Sequence, residues 1–460
     1  MDFELLIKRT ISGICCICIV FSVAFLITGC AGLKAGKTPD LPESTLPIAS
    51  NEKLPDYQSK VVLSEDSTLE DYLAYAAIHN EGLMAAYESW QAELEKVSQS
   101  AALPDPRLSY TYYIEEVETR VGPQRHRFGI QQSFPWMGTL SAREDVARSR
   151  AQSSQQAYEA LKISLLYQIK QNYYELYYLN RAVRIEQENR ELLSFIEKVV
   201  STRYEVGSAQ HAALIKSQVE LARIDEKISN LEEQVMPVKA NLNAILDRPP
   251  GSLMTVPESI TIEEVAIDDE QLKGLCRQHN PELKALDSSM ASQKTGIALA
   301  GKDFYPDVTL GFDYIYTDEA RMPGVDDSGK DPILGTISLN VPIWRGKYNA
   351  GRNEAQAKYQ AAYGKRQEKE NELIAKLEMA IFRLRDARRK MALYRESLIP
   401  KAQQLLSITQ QSFAAGTSDF LDLIDAQQTL LDLQLAYERS RTDHAKSWAE
   451  LEMIAGGSIP

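Results

Sequence analysis

Cysteine is scarce in this chain. Of five, Cys15, Cys16, Cys18 and Cys30 crowd the first thirty residues, and Cys276 stands alone in the rest. A disulfide framework across the body of the protein is thereby excluded. Histidine is as sparse, with His79, His126, His211, His279 and His444 far apart, so no paired metal-ligand spacing arises. No phosphate loop and no ordered nucleophile, base and acid set stands out, and the chain reads as no enzyme, with no cofactor and no metal. Basic residues are outnumbered: the formal charge is -13, which argues against a nucleic-acid partner that would need a cationic face. Glycine and proline are both missing from Thr139 to Val206. A helix over that span would run on the order of 100 Å, longer than an ordinary globular domain holds.

Long apolar runs are also lacking, with one exception. Lys8-Arg9 precede an apolar stretch from Ile11 to Ile27 that ends at Thr28-Gly29-Cys30, the layout of a signal peptide. Leu26-Ile27-Thr28-Gly29-Cys30 resembles a bacterial lipobox, which implies that Cys30 becomes the lipidated first residue of the mature chain. Ala31 rather than Asp follows it, and in lipoproteins that implies outer-membrane sorting. Residues 31 to 60, rich in Pro, Ser and Lys, read as a tether.

What is present is present twice. His79-Asn80 with Leu83 recurs as His279-Asn280 with Leu283, and Pro106 as Pro306, about two hundred residues later. Phe134-Pro135 then faces Val341-Pro342, and Tyr204-Glu205-Val206-Gly207-Ser208 faces Phe413-Ala414-Ala415-Gly416-Thr417. The expected organisation is a signal peptide over 1–29, a tether over 30–62, one repeat over 63–260 and a second over 261–460.

Within each repeat the periodicity changes. The Gly- and Pro-free span and three further stretches, His211 to Asp247, Lys365 to Ala415 and Thr417 to Ala455, carry helical apolar stripes suited to coiled-coil packing. Pro237 and Pro400 are expected to bend or break their helices. Thr68 with Asp71 resembles a capping box, and Asn280-Pro281-Glu282 is an N-cap followed by proline, whereas Glu81 stands in the proline's place after Asn80. The tyrosines at 173, 174, 177 and 178 read as helix-packing core.

Between the helices lie four runs of period two. Leu108, Tyr110, Tyr112 and Ile114 form one apolar series, and Phe128, Ile130 and Phe134 the next. Val308, Leu310, Phe312, Tyr314 and Tyr316 form the third, and Ile333, Ile337, Leu339 and Val341 the fourth. Runs of about ten residues match membrane-spanning strands, and the polar loops from Glu116 to Arg125 and from Thr317 to Lys330 make each pair a hairpin. The acids Asp326, Asp327 and Asp331 read as a solvated external loop. Four strands cannot close a barrel, and open edges are not tolerated in hydrocarbon, so strands must come from further copies.

Four segments in fixed order carry a resemblance to the TolC-like outer-membrane efflux family. They are Leu103-Pro104-Asp105-Pro106, Phe134-Pro135-Trp136-Met137-Gly138, Val341-Pro342-Ile343-Trp344-Arg345-Gly346, and Phe413 to Thr417 followed by Leu421-Asp422-Leu423-Ile424-Asp425-Ala426-Gln427. The resemblance implies a mainly α fold with membrane β: a homotrimer whose long coiled-coil helices form an α-barrel in the periplasm. Four strands per chain would contribute to a twelve-stranded β-barrel in outer-membrane lipid. It implies a passive exit duct docked to a periplasmic adaptor and an inner-membrane pump. It also implies roles by position: strand–helix junctions at Pro135, Gly138, Pro342 and Gly346, and adaptor-docking tips at Tyr204, Gly207, Ser208, Phe413, Gly416 and Thr417. Asp422 and Asp425 match the paired aspartates of an acidic gate ring. Where some members hold the tip shut with a tyrosine and an arginine, this chain has Phe413 and Ser418, which cannot make those bonds. The competing readings are a duct for type I protein secretion and a non-conducting coiled-coil lipoprotein of the envelope.

Overall fold

The computed structural model describes residues 63, 64, 67–207, 210–254, 257–260, 262 and 268–459. The expected signal peptide, Cys30 and Ser208 lie outside them. In chain order the elements are α1 (Leu69–His79), α2 (Glu81–Ala101), β1 (Arg107–Val117), β2 (Gln124–Phe134), α3 (Thr139–Glu205) and α4 (His211–Ile245). The same series follows again as α5 (Asp269–His279), α6 (Pro281–Lys302), β3 (Val308–Thr317), β4 (Ile333–Leu339), α7 (Arg345–Leu393), a π turn (Tyr394–Leu398), α8 (Ile399–Ala414) and α9 (Phe420–Ala455).

The helix α3 has 67 residues, so it runs about 100 Å. Nothing in its sequence interrupts the hydrogen-bond ladder, and Leu193, Ile196 and Val200 keep a three-four stripe buried. It packs on α2 and α6, and on α4 and α9. Thus α3 is the spine on which both repeats assemble.

The duplication is repeated in the packing. One core joins Tyr72, Ala76 and Leu83 to Leu165, Ile169 and Leu176 and to Leu242. The other joins Leu272, Cys276 and Leu283 to Leu373, Leu377 and Leu384 and to Leu451. Cys276 therefore fills the place of Ala76, as a small packed residue, and burial pushes its thiol up to about 11.

The helix breaks are duplicated too, and here the two halves solve one problem differently. Asn80 caps α2 by accepting from the Leu83 amide at 2.8 Å and donates to the Ile245 carbonyl at 2.9 Å. Asn280 caps α6 through the Glu282 and Leu283 amides, at 2.9 and 3.2 Å, and donates to the Ile454 carbonyl at 3.0 Å. Beyond each bonded carbonyl the chain turns left-handed, at Asp247 with φ of 51° and at Gly456 with φ of 91°. The Asp247 carboxylate accepts the Glu81 amide at 2.6 Å. Pro281 has no N–H, so the second half needs no acceptor there, and glycine can take the strained position.

Gly456 has a further constraint, because a Cβ there would lie 2.5 Å from the His279 carbonyl oxygen. Gly456→Ala is expected to cost about 2–4 kcal/mol from left-handed strain plus displacement of that backbone. Thermal unfolding of the detergent-solubilised protein checks this: a marked drop in Tm is expected, and an unchanged Tm would show that the turn relaxes freely.

The prolines behave unequally. Of the two outcomes expected at Pro237, a bend or a break, the break does not occur: α4 continues through it as a single element. The Glu233 carbonyl that loses its partner belongs to an exposed residue, where water can replace the bond. Pro400 sits in the first turn of α8, directly after the π turn at Tyr394–Leu398. The wider π turn shifts the ladder just where proline cannot donate, so the chain continues without a break.

The strands form one antiparallel sheet in the order β1-β2-β3-β4. Leu108 pairs with Ile130, Ile130 with Phe312, and Leu310 with Ile337. Because side chains alternate with period two, this register gathers the four apolar series onto one face.

Candidate functional site

The apolar face of the sheet is exposed rather than packed. Ile114 is 92% accessible, Leu108 77% and Ile337 74%, and Phe128, Phe312 and Tyr316 are exposed beside them. A contiguous apolar surface across four strands is far beyond what a water-soluble monomer leaves uncovered. Near the loop end of this face, the His126 ring lies 5.3 Å from that of Tyr112 and 6.1 Å from those of Tyr110 and Tyr316. Amphipathic rings at that level suit a membrane–water interface. The opposite face carries Ser109, Thr111, Arg127, Gln131, Ser133, Thr309 and Thr336. No described helix is long and apolar enough to cross a membrane.

Among the described residues, both outer strands, β1 and β4, have one edge without a partner strand. The unpaired amides and carbonyls along those edges are open to water or to another chain.

The strand–helix junctions are wired together across the repeats. Phe134 is the last residue of β2 and Pro135 follows; the next amide, of Trp136, donates to Asp307 Oδ1 at 2.9 Å. The Trp136 and Tyr305 rings stack at 4.9 Å. Asp307 is also joined to Asn340, its amide donating to the Asn340 side chain and its carbonyl accepting the Asn340 amide. Gly138 takes φ of 79° at the start of α3, a conformation that favours glycine. Lys302 Nζ donates to the Met137 carbonyl at 3.2 Å, beside it. On the other side Pro342 follows the end of β4, and Gly346 lies in the first turn of α7 with no neighbouring atom near its missing Cβ. Asp307 is the junction residue that sequence reasoning missed; its place right after the duplicated Pro306 was the available signal.

At the far end of the helices, two turns have the same geometry. Gly207 has φ of 73° and donates to the Tyr204 carbonyl at 3.0 Å; Gly416 has φ of 74° and donates to the Phe413 carbonyl at 3.1 Å. Open space surrounds both. Tyr204 stacks on His211 at 5.1 Å, Phe413 lies against Phe420 at 6.2 Å, and Thr417 Oγ1 donates to the Ser412 carbonyl at 3.1 Å. Arg203 ties one turn to the other: Nη1 donates to the Phe413 carbonyl at 3.0 Å and the guanidinium lies 4.5 Å from the centre of the Phe413 ring. Its partner is a backbone carbonyl two hundred residues on, so nothing in the sequence pattern marked it.

Asp422 and Asp425 are exposed on the first turns of α9, three residues apart and so on one side of the helix. Asp422 also serves locally. Its carboxylate accepts from Ser418 Oγ at 2.8 Å and from the Asp419 amide at 3.3 Å, while Asp419 accepts the Phe420 amide at 2.6 Å. This capping box holds the N-terminus of α9, whose dipole favours both carboxylates. In the loop of the second hairpin, Asp331 accepts the Thr317 amide at 2.7 Å, and among the described residues no group of acids, histidines or cysteines is spaced to hold a metal.

Midway along the helices, Tyr177 is fully buried and donates to Glu438 Oε2 at 2.6 Å. Arg441 Nη1 reaches the same carboxylate at 3.1 Å, and Arg181 Nε lies 3.6 Å from it. Burial, and then donation to Glu438, hold the Tyr177 phenol protonated well above its usual range.

Comparison with known proteins agrees with this architecture. Residues 74–247 and 272–457 match the sequence model of the family described as outer membrane efflux protein. The chain is 20% identical to Nodulation protein T of Rhizobium leguminosarum bv. trifolii over 385 residues, covering 78% of this chain and 79% of that one. It is 20% identical to the cobalt-zinc-cadmium resistance protein CzcC of Cupriavidus metallidurans over 383 residues, covering 80% and 85%. Among solved structures it shares the fold of the outer membrane protein VceC of Vibrio cholerae, with a TM-score of 0.71 at 18% identity over 85% of this chain and 96% of that one.

Proposed function

We propose, for a chain that belongs to the outer membrane efflux protein family, that it is the passive exit duct of a tripartite efflux system, working as a homotrimer in the outer membrane. The observation that carries the assembly is the sheet: one face exposed and apolar and, among the described residues, two edges open. Such edges have no partner in hydrocarbon unless another chain supplies one. Three chains would provide twelve strands, inside the size range of membrane barrels. Cargo would move through water, and the energy would come from an inner-membrane pump joined through a periplasmic adaptor. A coiled-coil stalk with no channel has no use for a two-faced sheet.

The finer assignments rest on the family pattern with the local geometry as support. The tips at Tyr204, Gly207, Ser208, Phe413, Gly416 and Thr417 would meet the adaptor, and Pro135, Gly138, Pro342 and Gly346 would turn the chain from tilted strand to tube. Asp422 and Asp425 from three chains would place six carboxylates around the periplasmic aperture and favour cations. Cys30 would anchor the mature N-terminus through lipid.

Planar-bilayer recording on the detergent-solubilised protein, after native mass spectrometry of its subunit count, tests the function. A trimer with discrete conductance steps is the expected result. A monomer that never conducts would return the stalk reading. In the same recordings, replacing both Asp422 and Asp425 with Asn should lower the cation-to-anion permeability ratio several-fold at low salt. Unchanged selectivity removes them from the gate. Cys30→Ala should abolish metabolic labelling with palmitate, and labelling that survives the change would refute the anchor.

A further inference from the structure

The polar face of the sheet carries one charged pair at mid-height. Between Arg107 at the helix end and Glu115 at the loop end, the strand positions on this face are Ser, Thr, Tyr, Gly, Gln, Ile and Leu, with two exceptions: Arg127 and Asp313. These two form a bidentate pair, Arg127 Nε to Asp313 Oδ1 at 3.0 Å and Nη2 to Oδ2 at 2.9 Å. The side chains differ sharply in exposure, 38% for Arg127 and 3% for Asp313. The carboxylate lies flat on the sheet, and the guanidinium covers it.

The sheet is shaped for that carboxylate. Gly129 stands opposite Asp313 in one register and opposite Ser109 in the other. A Cβ at Gly129 would come within 2.4 Å of Asp313 Oδ1 and 2.6 Å of Ser109 Oγ. Glycine is therefore present because the acid occupies the space of its side chain.

We infer that Arg127 and Asp313 form a charge-cancelled collar on the inner wall of the β-barrel, which prevents that part of the duct from sorting solutes by charge. The inference rests on the proposed channel, in which the polar face lines the water path. Three copies bring three guanidinium groups to the wall. Each is neutralised by a carboxylate lying beneath it, so the field in the pore from this level is small. Cargo that has passed the tips then meets no charge filter at this level of the barrel.

The test uses the full-length trimer in planar bilayers, with reversal potentials read across a potassium chloride gradient at low salt. Asp313→Asn exposes three uncompensated guanidinium groups, and the cation-to-anion permeability ratio is expected to fall about threefold or more. Arg127→Gln leaves the carboxylates alone, and the ratio is expected to rise. The double substitution should restore the parent value. A purely structural pair would produce no shifts of opposite sign, so equal ratios in all four proteins, or single variants that shift the same way, would overturn the collar. A parent trimer that never conducts would instead overturn the channel reading beneath it. If Asp313→Asn fails to assemble, Arg127→Gln against the double variant carries the same comparison.

Discussion

Replacing Ile130 with Arg is expected to stop the protein from entering the outer membrane while leaving its helices folded. Ile130 sits near the middle of β2 on the apolar face, paired with Leu108 on one side and Phe312 on the other. An arginine facing lipid at the midplane of a barrel costs about 2–4 kcal/mol per chain, and roughly 6–12 kcal/mol for three chains. That exceeds most of the net stability of an ordinary fold. Thr336→Arg is the control, because Thr336 lies on the opposite face of β4 and would meet water. Membrane fractionation and heat-modified gel mobility separate the two. Equal insertion of both variants would mean that the apolar face is not the lipid-facing one.

A comparable loss is expected from Glu438→Ala. Its carboxylate is the shared acceptor of Tyr177 and Arg441 and the neighbour of Arg181; Glu438 and Tyr177 are buried and the two arginines half-buried. Removing the anion leaves a buried phenol and two guanidinium groups without it, at a cost of about 3–5 kcal/mol. Glu438→Gln keeps an acceptor for Tyr177 and loses only the charge, so its cost should be smaller. The ordering parent, Gln, Ala in thermal unfolding is the signature of an anion held by its partners. Equal melting of the two variants would reduce Glu438 to a packing residue.

Much of the architecture was legible because duplication and periodicity are properties of the sequence itself. The four strands could be read from alternation, since one face of each had to be apolar, and the long helix from the missing glycine and proline. Asn80 and Asn280 were visible as a repeated helix break, although the Ile245 and Ile454 carbonyls that they bind were not. What escaped depended on distant partners or on solvent. Pro237 was expected to bend or break its helix because its i−4 carbonyl loses a bond; that the helix is not broken depends on exposure of that carbonyl's residue, a tertiary property. Arg203 binds a backbone carbonyl, which has no sequence signature. The exchange of Glu81 and Asp247 for Pro281 and Gly456 could be understood only after the two helix ends were seen to touch.

On the proposed trimer, the two edges left bare among the described residues have a consequence for biogenesis. A lone chain can neither enter the bilayer, where its edges would be unpaired, nor remain long in water, where its apolar face invites aggregation. Association and insertion must then be coupled, and the yield of inserted protein should rise more steeply than linearly with the supply of chains. When synthesis is slow the limiting event is the meeting of copies, so a holding chaperone that lengthens the life of the solitary chain would raise yield without altering the finished structure.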